Sequence, residues 1–530
     1  VPGVSVSSSG HPRGITRTGA WALVAAGAGL FVMSVMAAAP GSPYQPLLTR
    51  HGQPRGPLHD LAVALGAGDL HGNVLVAVSV TITLLALGGF LLLLRAAWRG
   101  QVSVAWVAGL VIGAYVLLLF VPLLFSRDVY SYAFYGRIAG IYGGNPYLET
   151  PLDHSGDLLW RYVGPIWIDT PAVYGPAWTS LSAAASRFLP RPVDHVEAYR
   201  ALAIVAGLAT CAAIVWVVRR ERPALAAFAL VAFGANPVVL FHSVASGHND
   251  LLVALSIVVA VGLVLRGHVP WAVGVLTTGA LIKATAGLPL LLLLVWVAAS
   301  APPGRRLRAV ALPVAILAVL VAVFAAPYFQ LRDPTLGMLE LAGHEGWLAP
   351  SMAFSRALDW ISGDRLGFIP RLAFAATLLV CIGAIVREVW RRGSRIGGAE
   401  VAAVLGWALV LLMLLGPVLL PWYVTWSLPL VWALPKRPRT ALIATSVLLA
   451  ATLWSAEPLR FPGAFQVDTL IGRWVVTPIV LWLLFRAIVD LRSRIRGGVA
   501  FDEEVEVAQA APVAGSAGEP RRVPSGAGER

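Results

Sequence analysis

PWAVGVLTTGALIKATAGLPLLLLLVWVAAS, residues 270–300, decides how this chain is built. A single spanning helix uses roughly 20 apolar residues, and this stretch is too long for one. Lys283 stands near its middle, Arg266 precedes it, and Arg305, Arg306 and Arg308 follow it. Cytoplasmic ends of membrane helices collect Lys and Arg, so with both flanks inside the segment must leave and return. It reads as a hairpin of short or tilted helices, with Lys283, Gly287 and Pro289 near the outer apex.

The same parity works outward along the chain. Clear apolar runs lie near 20–39, 74–95, 103–125, 197–218, 224–242, 250–265, 309–327, 367–387, 400–419, 441–455 and 473–490. Basic clusters separate them at Arg95/Arg99, Arg219-Arg220-Glu221-Arg222, Arg266, Arg305/Arg306/Arg308, Arg391/Arg392/Arg395, Lys436-Arg437-Pro438-Arg439 and Arg492/Arg494/Arg496. An even number of crossings between neighbouring clusters makes 400–435 a second hairpin, tipped by Pro421-Trp422-Tyr423-Val424-Thr425-Trp426. The expectation is an all-α polytopic membrane protein of about fourteen transmembrane helices.

Composition agrees. Of the 530 residues, 58% are hydrophobic and 13% charged, and mean hydropathy is +0.76. A soluble domain carries roughly 25% charged residues, so an ordinary soluble enzyme, a disordered chain and a disulfide scaffold are all excluded. The net charge of +13 sits in short clusters between apolar runs, which marks topology and not nucleic-acid binding. Cys211 and Cys381 both fall inside apolar runs and read as buried thiols.

Parity leaves 40–73, 126–196, 243–249, the 283–289 apex, 328–366, 419–426 and 456–472 outside. The domain reading is a cytoplasmic N-terminus at 1–19, a membrane domain at 20–490 with large outer loops 126–196 and 328–366, and a disordered cytoplasmic tail at 491–530. Within the first large loop, Ala177 to Leu189 suits a helix on the membrane surface.

Five constellations fall on this outer side. Ser126-Arg127-Asp128-Val129-Tyr130-Ser131-Tyr132 closes the third helix; Asp128 either pairs with Arg127 or Arg137 as an anchor, or serves as a general base at a cavity mouth. Asp169-Thr170-Pro171-Ala172-Val173-Tyr174-Gly175-Pro176 is a rigid turn, or a lid placing Tyr174 against a sugar. Ser246-Gly247-His248-Asn249-Asp250 caps a helix, or sets polar groups into a cavity at membrane depth. Lys283 snorkels, or binds a lipid phosphate. Trp422, Tyr423 and Trp426 form an interfacial belt, or a wall for a sugar or isoprenoid. Nucleotide-binding and zinc motifs are absent, so no cofactor is expected, a divalent metal is left open, and the donor of any group transfer should come from the membrane.

Taken in order, Arg127-Asp128-Val129-Tyr130-Ser131-Tyr132, Asp169-Thr170-Pro171 with Tyr174-Gly175-Pro176, Asn236-Pro237 with Gly247-His248-Asn249-Asp250, Ile282-Lys283 and Pro421-Trp422-Tyr423 resemble the polyprenol-phosphomannose-dependent α-1,6-mannosyltransferases of actinobacterial envelopes, within the GT-C superfamily. The resemblance runs from about residue 100 to 490. Leu420 stands where many relatives carry a polar residue, and 135–147 is less similar than the rest. The resemblance implies a GT-C bundle in the cell membrane whose site faces outside, taking a sugar from a polyprenyl-phosphate donor to a mannan or glycolipid acceptor with inversion. It gives Asp128 the base role, Lys283, Arg127 and His248 the donor phosphate, and Tyr130, Tyr174, Asn249, Asp250, Trp422 and Tyr423 the sugar and lipid. His344 and Glu345 are acceptor-side candidates in the second large loop. Another lipid-linked sugar such as arabinose, or a transporter or flippase, are the competing readings.

Overall fold

A computed structural model describes residues 14–48, 56–331, 336–337, 348–363, 365–452, 455 and 459–502. The regular elements among them are helical. In chain order the first nine α-helices are α1 Arg17–Ala38, α2 Pro57–Ala64, α3 Gly72–Trp98, α4 Val104–Leu117, α5 Asp128–Gly140, α6 Pro176–Ser186, α7 Pro192–Glu221, α8 Ala226–Gly234 and α9 Asp250–Val264. The remainder are α10 Val269–Ile282, α11 Gly287–Ser300, α12 Arg306–Ala325, α13 Pro350–Ser362, α14 Phe368–Arg392, α15 Gly398–Leu415, α16 Lys436–Thr452, α17 Pro462–Ile471 and α18 Thr477–Gly497. Seven helical stretches among the described residues are long and apolar enough to cross a membrane, or eight if a bent pair counts as one, and shorter apolar helices accompany them. The chain is a multi-pass membrane protein.

The two parity-derived hairpins fare differently. Residues 270–300 do break in the middle: Lys283 is extended (φ −152°, ψ 129°) between α10 and α11. In the second, α15 rises as expected, but the return limb is not an α-helix. It consists of 3-10 turns at Pro421–Trp426 and Leu428–Leu430 followed by turns. Pro421, Pro429 and Pro435 each lack an N–H donor, and their spacing prevents a continuous i→i−4 ladder. The limb is nonetheless central, with Val424, Leu428, Leu430, Val431, Trp432 and Leu434 wholly buried.

A bend of 46° separates α8 with its leading turn from the wide π-helical turn Val238–Val244. Pro237 causes it, and Asn236 repairs it. The Asn236 carboxamide donates to Ala232 O (3.1 Å) and to Ser446 Oγ (3.1 Å), and accepts from Val238 N (3.0 Å). An irregular backbone is thereby satisfied from within the protein, as lipid requires.

A second polar cluster lies where α7 ends and α15 begins. The last helix runs past 490 to Gly497, and the strand of chain after it folds back. Phe501 is buried; its N–H donates to Glu400 Oε1 (2.7 Å) and its carbonyl accepts from Trp407 Nε1 (3.3 Å). Glu400 is itself held by Arg392 through two bonds of 2.6 and 2.8 Å. Arg494 binds the Ala500 and Asp502 carbonyls, and Arg222 binds the Asp502 carboxylate at 2.7 Å. An apolar bundle has few ways to fix its ends, and this clamp ties α7, α14, α15 and α18 together with charge-assisted bonds.

Candidate active site

Two carboxylates each open a helix, where the unpaired N–H groups of a first turn favour negative charge. Asp128 begins α5 and Asp250 begins α9. Asp250 is fully buried and fully compensated: Lys283 Nζ lies 2.8 and 3.0 Å from its two oxygens, and Trp426 Nε1 donates at 2.6 Å. The lysine reaches it because the extended backbone at Lys283 ends α10 there. Its ammonium also lies 5.0 Å from the Tyr423 ring centre and 5.5 Å from that of Trp426.

Asp128 has different company. Ser126 Oγ donates to Oδ1 (2.8 Å) and receives the Asp128 N–H (3.1 Å). The Tyr174 hydroxyl donates to Oδ2 over 3.4 Å, and His248 Nδ1 lies 3.5 Å from the same oxygen. Burial pushes the Asp128 carboxyl above the ordinary carboxylate range; the Ser126 bond and the charge of Lys283 oppose that shift. Tyr174 is pushed well above the usual phenol value by burial and by Asp128's charge, so it remains a proton donor.

The elements meet by close backbone approach. Gly175 N–H donates to Ile282 O at 2.9 Å, docking the Tyr174 turn on the Lys283 break. A Cβ there would sit 2.1 Å from Leu281 O, so only glycine fits. Gly247, at φ +68°, lets the His248 loop pass beside Val129 at the start of α5. From α7, the buried Arg200 guanidinium holds the carbonyls of Val121 and Pro122, fixing the strand of chain that delivers Asp128.

The aromatic wall closes the cluster. His248 stacks on Trp422 at 3.9 Å between ring centres, and Tyr423 stacks on Trp426 at 4.0 Å. Asp128, Tyr174, His248, Asp250, Lys283, Trp422 and Tyr423 thus form one connected set, with Asn249 between His248 and Asp250 in the chain. Among the described residues, the buried Asn249 side chain finds no hydrogen-bond partner for its nitrogen or its oxygen, and His248 Nε2 is likewise unpartnered.

Other expectations do not converge on this set. Arg127 directs its guanidinium to Leu47 O at 2.7 Å. Tyr130 turns to Tyr162, with ring centres 5.1 Å apart. His344 and Glu345 lie outside the described residues. Arg200 is not among the sequence-derived candidates, and Ser246 enters only as the first residue of the His248 constellation, with no role of its own. For Arg200 a signal existed, an arginine near the start of a long apolar run, since such charges are retained only where they are used.

Fold and site together define a class, a multi-pass membrane protein with a buried, chemically equipped centre at one end of its bundle. Residues 25–300 match the family model described as alpha-(1->6)-mannopyranosyltransferase, N-terminal domain, and residues 363–458 match the MptB C-terminal domain. The chain is 27% identical over 395 residues to alpha-(1->6)-mannopyranosyltransferase A of Mycobacterium tuberculosis, covering 70% of this chain and 73% of that protein. It is 26% identical over 416 residues to alpha-(1->6)-mannopyranosyltransferase B of Corynebacterium glutamicum, covering 70% and 66%. The chain belongs to the alpha-(1->6)-mannopyranosyltransferase family, and it is a glycosyltransferase.

Proposed function

We propose that this enzyme moves mannose from a polyprenyl-phosphate donor to a mannan or glycolipid acceptor on the outer face of the cell membrane, by a single inverting displacement that forms an α-1,6 linkage. One observation carries the reading. Of the two carboxylates in the cluster, Asp250 is neutralised by Lys283, whereas Asp128 meets only hydroxyls and an imidazole among the described residues. A carboxylate kept short of a cation, and raised by burial, is suited to accept a proton.

In the proposed step the acceptor hydroxyl oxygen bonds to the sugar C1 while the C1–O bond to the phosphate breaks. Asp128 takes the hydroxyl proton, and the electron pair leaves with polyprenyl phosphate. Lys283 meets both Asp250 oxygens; its remaining donor would meet the phosphate, with His248 and Arg127 as further candidates. The unsatisfied Asn249 carboxamide would bind sugar hydroxyls, because a buried amide without partners is costly. Tyr174, Trp422 and Tyr423 would shape the sugar and lipid sites.

The arrangement also supports a GT-C bundle of about fourteen crossings, in which the 3-10 return limb counts as one. Orientation follows from charge: the clamp end of the bundle carries Arg219, Arg220, Arg222, Arg391, Arg392, Arg494 and Arg496, which favours the cytoplasm there and the site outside. His344 and Glu345 remain the acceptor-side proposal.

The test is transfer of labelled mannose from polyprenyl-phosphate mannose to a short α-1,6-mannoside by purified protein, with Asp128→Asn alongside. Product from the wild type and a loss of at least about a thousandfold in the variant are expected. Full activity in Asp128→Asn would remove the base assignment. Donor binding without transfer would replace mannose or the acceptor, and absence of both would favour a transporter.

A further inference from the structure

The chain carrying Asp128 and the chain carrying His248 are tied to one carbonyl. Ser126 N–H donates to Leu124 O at 2.6 Å, closing a three-residue turn about Phe125. Phe125 sits at φ +56°, a region that a bulky side chain rarely occupies and that persists only where the surroundings impose it. Three contacts impose it. Phe125 N–H donates to Tyr44 O (2.8 Å), the phenyl ring stacks on His242 in the π-helical turn (3.9 Å between centres), and it leans on the Tyr44 ring (5.5 Å).

The same Leu124 oxygen accepts from Ser246 Oγ at 2.6 Å, and Ser246 Oγ also reaches Phe241 O at 3.0 Å. Ser246 is completely buried. Two residues beyond each tie stand the groups that face each other: Ser126 leads to Asp128, and Ser246 leads to His248, with 3.5 Å between Oδ2 and Nδ1. Neither segment is regular helix at that point, so this shared oxygen does the work that a backbone ladder does elsewhere.

We propose that Ser246 is a positioning residue for the transfer reaction, acting through the Leu124 carbonyl to hold His248 against Asp128. The inference rests on Asp128 being the base. Without the Ser246 hydroxyl, the 246–249 loop is released from the Phe125 turn, His248 withdraws, and the carboxylate loses one of its neighbours. The other groups that bear on Asp128 are Tyr132 on its own helix, Tyr174 ahead of α6, Asp250 at the start of α9, Lys283 at the α10–α11 break and Tyr423 in the proline turn. None of these is bonded to Ser246; of them only Tyr132, whose hydroxyl lies 3.3 Å from His248 Nδ1, also loses a contact when His248 moves.

The experiment is the pH profile of mannosyl transfer by full-length Ser246→Ala, with kcat normalised to folded protein and Asp128→Asn run in parallel. Ser246→Ala should lower kcat about tenfold, a factor matching one lost positioning contact. Donor KM should stay within about twofold, since no donor contact is touched. The acid limb should move, because the carboxylate loses the imidazole that lies 3.5 Å from its Oδ2. A fall in kcat with an unmoved limb, or no fall at all, overturns the proposal, since loss of folded enzyme changes amplitude and leaves the limb where it was. If Ser246→Ala does not accumulate, Ser246→Cys keeps the volume with a weaker donor and is read by the same limb. Activity in Asp128→Asn would instead bring down the base assignment and this inference with it.

Discussion

The helices α7 and α15 carry a buried polar cluster at each end, and the two clusters follow opposite rules. In the clamp around 500–502, the Phe501 N–H and carbonyl, the Ala500 and Asp502 carbonyls and the Asp502 carboxylate all have partners. At the other end, Asp250 is matched, but among the described residues the Asn249 side chain and His248 Nε2 are buried without partners and Asp128 has no Lys or Arg bonded to it. A saturated cluster can only hold the fold. A cluster with unused donors and acceptors holds the fold less well and has something left for a ligand, the balance expected where stability is traded for function.

Breaking the matched pair inside the site should have the largest effect. Lys283→Met leaves the Asp250 carboxylate buried and unpaired, at a cost of about 3–5 kcal/mol. The folded fraction in detergent, read by size-exclusion chromatography and thermal unfolding, should collapse. Adding Asp250→Leu should recover much of the fold, because an apolar pair of similar volume is often as stable, while transfer stays absent. Recovery of transfer as well would show that the pair is only structural.

The clamp should answer differently. Asp502→Ala leaves the Arg222 guanidinium with the Trp432 carbonyl but no counter-charge, and should lower stability by about 1–3 kcal/mol. Turnover per folded molecule should change little, so melting temperature and kcat separate in this variant. If kcat fell with stability intact, the two clusters would be coupled and the contrast between them would fail.

The smallest effect concerns Asp128 and pH. Its carboxyl is raised in the folded protein, so folding favours the protonated form; this stability is present below the ordinary value of 3.8 and is lost as pH rises through the raised one. Asp128→Asn does not ionise. Its thermal stability relative to the wild type should therefore increase as pH climbs through that window and then level off. A constant difference from acid to neutral pH would mean that burial imposes no cost on the charge.

The membrane class and the break at Lys283 were legible because they rest on hydropathy and arginine placement, which act over whole segments. The 3-10 return limb was less so: parity demanded that the chain come back, and said nothing about its conformation, although the prolines at 421, 429 and 435 were in plain view. The site divides in the same way. Asp128, His248, Asp250 and Lys283 stand out as polar groups in apolar surroundings, but the Asp250–Lys283 pairing joins residues 33 apart, and Trp426 reaches Asp250 across 176. Tyr130, two residues beyond the base, faces Tyr162 because helix α5 turns successive side chains about 100° apart, and Arg127, which precedes the helix, reaches the Leu47 carbonyl. Ser246 stood in the His248 constellation, but its role was not legible, since a serine beside a glycine reads as loop chemistry until the carbonyl it binds is known.

The clamp also has a bearing on how the enzyme is made. Arg222 and Asp502 are 280 residues apart, and a ribosome adding about 5–20 residues per second takes on the order of half a minute to travel that distance. Asp128 precedes that interval and Asp250 and Lys283 are made early in it, so all three are synthesised while Arg222 still lacks its carboxylate partner. The clamp therefore closes late relative to α7: residues 500–502 fasten a helix made 280 residues before them.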